Sequence, residues 1–536
     1  MKRKILLVMI MLSMLCSAVF NGCAKTLPPA GTAEIDTLIV GTPNVIGKPT
    51  PADSYYVYIA ATLSMMAPLY MTPDGKFEPR ACDFTVSPDY TTFTFTMKEG
   101  LTWHDGKPVT IEDFKFTIDY RDAQEPSSFP LKRDKIESMS INGNSLTIVM
   151  NASYVTGLND FTTLRLLPKH IYGGQTLASY EGMDANINCG PYRYSGYDAD
   201  AGTLTFTRYD DYFGGKANVK TVIFKMYSNW DTMIMALLSG EVDMVNRYGN
   251  GVDPVYIPAL QSRDDITLQV VNSAAIPSML IFANDKAPGN DVNFRKAVAS
   301  AIDFEFARTV LGSVNSVVGN TGIINSSTYG YRETEKNSYD LAKFAGHMAA
   351  YGATKEADGY YYKNGEIVSL EITVRSDQSA YVRAAEIIAN CLNVAGISCK
   401  IDALASNAYL LKVGSAPGNT PSAQAAVIAM TAAGVDFDYG FGTRYLYGPL
   451  EHAAQSGRIF DAAYLAIIED FKKATSIEAY MSAARDIQDF YATNVPAVAL
   501  YYDGYTYAYN SRLSGFCEDA TFGLLNISTW FTIKSA

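Results

Sequence analysis

Residues 100–120 read GLTWHDGKPVTIEDFKFTIDY, a strand end, a turn and a helix start in one run. Just before it, Thr92–Met97 alternates polar and apolar residues. That places Phe93, Phe95 and Met97 on one face and predicts a half-buried strand. His104-Asp105-Gly106-Lys107 supplies a turn, because Gly106 tolerates positive φ and the Asp105 side chain can accept from nearby backbone. Thr110 follows as an N-cap, with Glu112 and Asp113 in the first turn, where the helix dipole favours carboxylates. Thr110-x-x-Asp113 is a capping box with Asp in place of Glu or Gln. Phe114, Ile118 and Arg121 then recur at helical spacing. Trp103, His104 and Asp105 are accounted for by a strand end and a turn, so the unit carries no chemistry of its own.

The first residues read as an address. Lys2, Arg3 and Lys4 precede an apolar run from Ile5 to Val19, too short for a spanning helix and flanked like a signal peptide. It ends at Phe20-Asn21-Gly22-Cys23, and Gly before Cys resembles a bacterial lipobox. Residues 1–22 are therefore expected to be a lipoprotein signal peptide, Cys23 the lipidated residue and 23–32 a tether. Cys16 is the rival anchor, but Leu15 before it fits poorly. Export to the outer face of the cytoplasmic membrane, in a periplasm or at the cell surface, is the expectation. No second run of spanning length follows.

At 536 residues, 48% hydrophobic and 18% charged, the chain can bury large cores in more than one domain. A net charge of −12 argues against nucleic acid and against anionic membrane surfaces as partners. Thirty-seven tyrosines offer rigid amphipathic surface suited to a binding cleft. Leaving out Cys16 and Cys23, the cysteines Cys82, Cys189, Cys391, Cys399 and Cys517 are scattered without a C-x-x-C pair; Cys391 with Cys399 is one pairing an exported chain allows. The four histidines, His104, His170, His347 and His452, lie far apart, so neither a metal site nor a cofactor is expected. G-x-S-x-G, H-E-x-x-H, Walker A and the Rossmann glycine fingerprint are all missing, and Gly249-Asn250-Gly251 lacks the third glycine. Adjacent acids such as Asp264-Asp265 read as solvated loop charges. The expectation is a protein that is not an enzyme.

The rest of the chain keeps an α/β rhythm. Strands are expected at Leu38–Thr42, Ser145–Met150, Thr203–Tyr209, Val222–Tyr227 and Ala425–Met430. Helices are expected at Ile59–Pro68, Trp230–Leu238, Asn290–Ala307 and Ala384–Ile397. No internal repeat is evident. The ordered strings APLYMTPDGKFEPR (67–80), VSPDYTTFTFTMKEGLTWHDGKPVTIEDFKFTIDY, CGPYRYSGY, ALLSGEVDMV, NDVNFRKAVASAIDFEFA and VPAVALYYDGYTYAYNSRLSGF span nearly the whole mature chain. Together they resemble the family 5 extracellular solute-binding proteins of ABC importers, the oligopeptide, dipeptide and nickel binders.

That resemblance implies an α/β, two-lobed fold of the periplasmic-binding-protein type (class II), with an extra domain inserted in the first lobe. On that analogy 33–76, 186–271 and 495–536 form lobe one, 77–185 the added domain and 272–494 lobe two. Asn272–Pro277 and Asn494–Pro496, being polar, small or Pro-containing, are the expected crossings. Ligands of α/β domains sit at the carboxyl ends of strands, and the loop after Ala425–Met430 carries Asp436 and Asp438. Peptide-binding members hold the peptide α-ammonium with an acid here; Asp436 matches that position best and Asp438 second. The stretch departs from the family pattern at two places, around Ala429-Met430, where the family's Trp is replaced, and at Phe437, which stands where Pro is common. Tyr439, Arg444, Tyr445 and Trp230 are further rim candidates, Arg444 as a bidentate partner for a ligand carboxylate. The implied function is capture of a peptide between the lobes by a monomer that delivers it to an ABC permease with its ATPase. The alternatives are another solute, such as a nickel chelate or a short glycan, or a peptide-sensing lipoprotein.

Overall fold

Trp103, Phe93, Phe95 and Phe114, which lie in the signature stretch or flank it, are all fully buried, and they centre the core on the four-stranded sheet. The computed structural model describes residues 34–430 and 459–535, apart from 45, 47–48, 51–53, 73–75, 125–130, 132, 176–186, 248–250, 274–275, 314, 414–420 and 460. The expected leader 1–22, Cys23 and the expected tether lie outside the described residues.

Lobe one opens with β1 (Ile35–Thr42). The added unit comprises β2 (Cys82–Val86), β3 (Thr92–Met97), α1 (Ile111–Gln124), β4 (Ile136–Asn142) and β5 (Ser145–Met150). Lobe one resumes with β6 (Tyr192–Asp198), β7 (Thr203–Arg208), β8 (Val219–Met226), α2 (Trp230–Leu238), β9 (Met244–Val245) and β10 (Ile266–Val271). Lobe two begins with β11 (Ile276–Phe282), α3 (Val292–Ala301), β12 (Val317–Val318), α4 (Leu341–Tyr351) and β13 (Ser369–Arg375). It continues with α5 (Ser379–Ala395), β14 (Ser398–Leu404), β15 (Ala425–Met430), α6 (Ile477–Asn494) and β16 (Ala497–Tyr502). β17 (Tyr505–Asn510) then rejoins lobe one. The sheet orders are β10-β17-β9-β1-β8-β7-β6 in lobe one, β12-β16-β11-β15-β13-β14 in lobe two and β2-β3-β5-β4 in the added unit.

The lobe-two sheet is covered on both faces. Leu280, Phe282, Ile372, Val427 and Leu500 pack on one side with α3, α4 and α5. Met279, Ile281, Ala426, Ile428 and Ala499 pack on the other with α6. Two-sided burial explains why β15 and β16 read as unbroken apolar runs rather than alternating ones.

In the added unit the capping box forms through its acid. The Asp113 carboxylate accepts from Thr110 N (2.9 Å), Thr110 Oγ1 (3.0 Å), Trp103 Nε1 (3.4 Å) and Lys169 N (2.9 Å). Asp105 accepts from Lys107 N at 3.2 Å, and Gly106 takes φ +84, so the turn is built as its residues require. His104 is buried, with Nε2 3.0 Å from the Gly190 carbonyl.

Three expectations need correction. The helix expected at Ile59–Pro68 spans Ser54–Leu63. The helix expected at Asn290–Ala307 is two, Val292–Ala301 and Phe304–Leu311, because Asp303 caps the second by accepting from Phe306 N at 2.9 Å. Asn494–Pro496 is not a crossing: Val495 is the C-cap of α6 at φ +50, and β16 pairs with β11 and β12 inside lobe two. The chain leaves lobe two at Asp503-Gly504 instead.

The two connections between lobes run side by side. One joins β10 to β11 through 272–275, and the other joins β16 to β17 through Asp503-Gly504. A Cβ on Gly504 would lie 2.6 Å from Val270 Cγ1 and 3.1 Å from the Val271 carbonyl oxygen. Ser273 is buried, and its carbonyl accepts from Asn325 Nδ2 at 2.7 Å.

Asp113→Ala strands several donors around a buried site and should destabilise the chain by about 3 kcal/mol, read by urea unfolding. Gly504→Ala should cost about 1–3 kcal/mol by overpacking. Gly346→Ala, in α4 with nothing within 4 Å of the added carbon, should instead stabilise by roughly 0.5–1 kcal/mol. Equal thermal shifts for the two glycine variants would contradict this reading of the crossing.

Candidate functional site

Strand directions place the site. In lobe one, β1 pairs in parallel with β8 and β9, and β17 runs antiparallel to β9 and β10. The carboxyl ends of β1, β8, β9 and β10 therefore share one edge, the edge from which Val271 and Tyr505 connect to lobe two. In lobe two, β13 is parallel to β14 and β15, while β11 is antiparallel to β15 and β16. The carboxyl ends of β13, β14, β15 and β16 likewise share the edge where Ile276 enters. Met430, the last residue of β15, pairs with Ile276, the first of β11. Both sheets thus turn the ends where α/β domains hold ligands toward the connections.

The side chains at these edges are polar and aromatic. On lobe two, Arg375 holds Asp377 bidentately (Nε to Oδ1 3.0 Å, Nη2 to Oδ2 2.6 Å), which keeps the Asp377 carboxyl below its ordinary range. Tyr381, half-buried at the start of α5, has its phenol pushed up by burial. The Ala429 N–H and the charges of Arg375 and Arg247 pull that phenol the other way. Arg247 follows β9 on lobe one, so its charge is felt across the connections. Asp503, on the second connection, accepts from Ser313 N at 2.7 Å and from Ser313 Oγ. Burial raises its carboxyl against those bonds. Tyr501 lies beside it in β16, its hydroxyl 3.3 Å from the Leu311 carbonyl. On lobe one, Asn246 is buried after β9, and its Oδ1 has no partner among the described residues.

Of the residues expected from sequence, Trp230 begins α2, directly after the carboxyl end of β8. Its ring stacks on Tyr256 at 6.0 Å between centroids and 23° between planes, and Tyr256 in turn donates to Asp231 at 2.7 Å. Asp436, Asp438, Tyr439, Arg444 and Tyr445 lie outside the described residues. Arg247, Arg375, Tyr381 and Asp503 were not among the sequence candidates. The signal for the two arginines was available, since Arg375 ends β13 and Arg247 closely follows β9. Among the described residues, no group of three or more His, Cys, Asp or Glu is placed to hold a metal ion. Cys82, Cys189, Cys391, Cys399 and Cys517 are free thiols, Cys391 and Cys399 included. Among the described residues, no helix is long and apolar enough to cross a membrane.

Comparison with known proteins places this geometry in a family. The model of the bacterial extracellular solute-binding proteins, family 5, matches residues 66–452. Several Brucella proteins, that of Brucella ovis among them, are provisionally named ABC transporter peptide-binding proteins and are 27% identical over 230 residues. That match covers 42% of this chain and 42% of theirs, so the chain spans about two fifths of the length of these curated relatives. The oligopeptide-binding protein AppA of Bacillus subtilis is 22% identical over 580 residues, covering 99% of this chain and 100% of that one. Its structure in complex with a nonapeptide superposes with a TM-score of 0.72 at 17% identity, over 94% of this chain and 100% of that one. NikZ from Campylobacter jejuni, solved in complex with Ni(L-His), superposes with a TM-score of 0.75 at 19% identity, over 93% and 99%. At those identities the structural likeness speaks for the fold alone, while the family match covers most of the chain. The chain belongs to the bacterial extracellular solute-binding proteins, family 5.

Proposed function

We propose that the chain captures peptides between its two lobes and delivers them to the permease and ATPase of an ABC importer. One observation carries this reading: β15 ends beside Ile276, at the edge where the carboxyl ends of both sheets meet the connections. Six residues of chain lead from Met430 to Asp436. Asp436 is assigned to the ligand α-ammonium, with Asp438 as its neighbour. Tyr439, Arg444, Tyr445 and Trp230 are assigned to the rim, joined by Arg247 and Tyr381 from the described faces. Capture is by closure of the lobes about the paired connections, driven by tighter binding to the closed state. It involves no covalent step and no cofactor. The exported chain is a monomer anchored through Cys23 on the outer face of the cytoplasmic membrane. The peptide-bound likeness and the peptide-binding names of relatives support this ligand class.

A nickel chelate is the second reading, favoured by the likeness to the Ni(L-His)-bound protein. It is the weaker one, since the described residues bring no metal-ligating group together.

A carboxylate–ammonium bond in a closed cleft contributes about 1.5–3 kcal/mol, roughly ten- to a hundredfold in affinity. Calorimetry with di- to pentapeptides should therefore show binding that Asp436→Ala weakens by that factor and that N-acetylation of the peptide weakens equally. Acetylated and free peptides binding alike would remove the ammonium assignment. Binding of Ni(L-His) with no peptide binding would replace the peptide reading with the nickel one.

A further inference from the structure

A cavity opens on lobe two, away from the connections. Its volume is about 140 Å³, far above the roughly 15 Å³ that one water needs. Lys296 of α3, Lys343 and His347 of α4, and Glu335, Lys336 and Asn337 of the segment between β12 and α4 line it. Val495 and Ala497, at the amino end of β16, also line it. The connections between lobes leave from the opposite end of β16, six residues away, or roughly 20 Å. This cavity is therefore distinct from the cleft proposed for peptide.

Its electrostatics are the reverse of the chain's. The protein carries a net charge of −12, yet three ammonium groups line the cavity against one carboxylate. Among the described residues, no carboxylate is paired with Lys296, Lys336 or Lys343. The imidazole of His347 is held below its ordinary value, first by burial and then by the charges of Lys296 and Lys343. Lys296 and Lys343 are thus close enough to act on one group, and Glu335 is the one carboxylate that lines the cavity with them. The carboxyl end of α6, capped at Val495 in the lining, would oppose an anion, but the neighbouring Arg295 offsets it. That guanidinium donates to Asn494 O at 2.7 Å and to Val495 O at 3.2 Å.

We propose that this cavity binds a small divalent oxyanion of the sulfate or phosphate class, held by Lys296, Lys343 and Lys336 and felt by His347. Asn337 is committed elsewhere, its Nδ2 donating to Ala499 O at 2.9 Å, so recognition rests on charge. An anion among these lysines favours the protonated imidazole, so binding raises the His347 pKa and tightens as pH falls through it.

The test is proton NMR of the four histidines in the full chain, with His347→Gln assigning the resonance. Sulfate serves as the probe because its charge is constant over the titration. Sodium chloride at matched ionic strength supplies the screening control, and phosphate and acetate are further arms. Sulfate should raise the His347 pKa by roughly 0.5 beyond chloride, phosphate should compete with it, and acetate should do less. Lys296→Gln with Lys343→Gln should abolish the effect and weaken sulfate binding at least about tenfold by calorimetry. An equal shift with chloride, no shift with sulfate, or a shift that survives the double substitution would each overturn the proposal. Peptide binding measured in parallel separates failure here from failure of the cleft assignment.

Discussion

Gly504 packs against Val270 and Val271 so closely that no side chain fits between them, and the rest of the architecture depends on that contact. It holds the outgoing and returning connections together as one narrow joint. Because β10 leaves lobe one where its parallel neighbours end, and β11 enters lobe two where β15 and β16 end, one joint aligns the carboxyl edges of both sheets. The carboxyl ends of both sheets then face the connections without any dedicated scaffold. The added unit lies apart from this joint, yet Val155 packs in the lobe-two cluster that also contains Ile276 and Met279. Lobe two is therefore touched at two places, the joint and the added unit.

Much of this was legible in the sequence where local chemistry and tertiary packing agree. Thr92–Met97 alternates because one face of β3 is buried, and Gly106 marks a turn because its backbone takes a left-handed φ. Ala425–Met430 reads as a strand because both of its faces are covered. Reading failed where two signals compete. Apolar residues keep helical spacing through Ile302, so the break there is hidden, while Asp303 supplies a cap that outcompetes continuation. Asn494–Pro496 has the composition of a linker, but that composition also suits a helix end, and the buried run after it demanded pairing within lobe two.

The site was legible only in part, for a different reason. An acid after a buried strand is a local pattern, and it drew attention to Asp436. The opposition of Arg247 and Tyr381 is not local: it arises from two strand ends far apart in sequence that the joint brings to one edge. Likewise, the lysines of the lobe-two cavity come from two helices and a connecting segment, and no spacing in the chain announces them. Trp230 shows the converse, a residue singled out by type whose ring is engaged with Tyr256.

On the proposed function, ligand draws the two lobes together about the paired connections. Small-angle X-ray scattering of the full chain, with and without a saturating mixture of short peptides, measures this directly. Peptide should give a smaller radius of gyration, and the same concentration of N-acetylated peptides should give a smaller decrease, in line with their weaker binding. Peptide binding at an unchanged radius of gyration would contradict it.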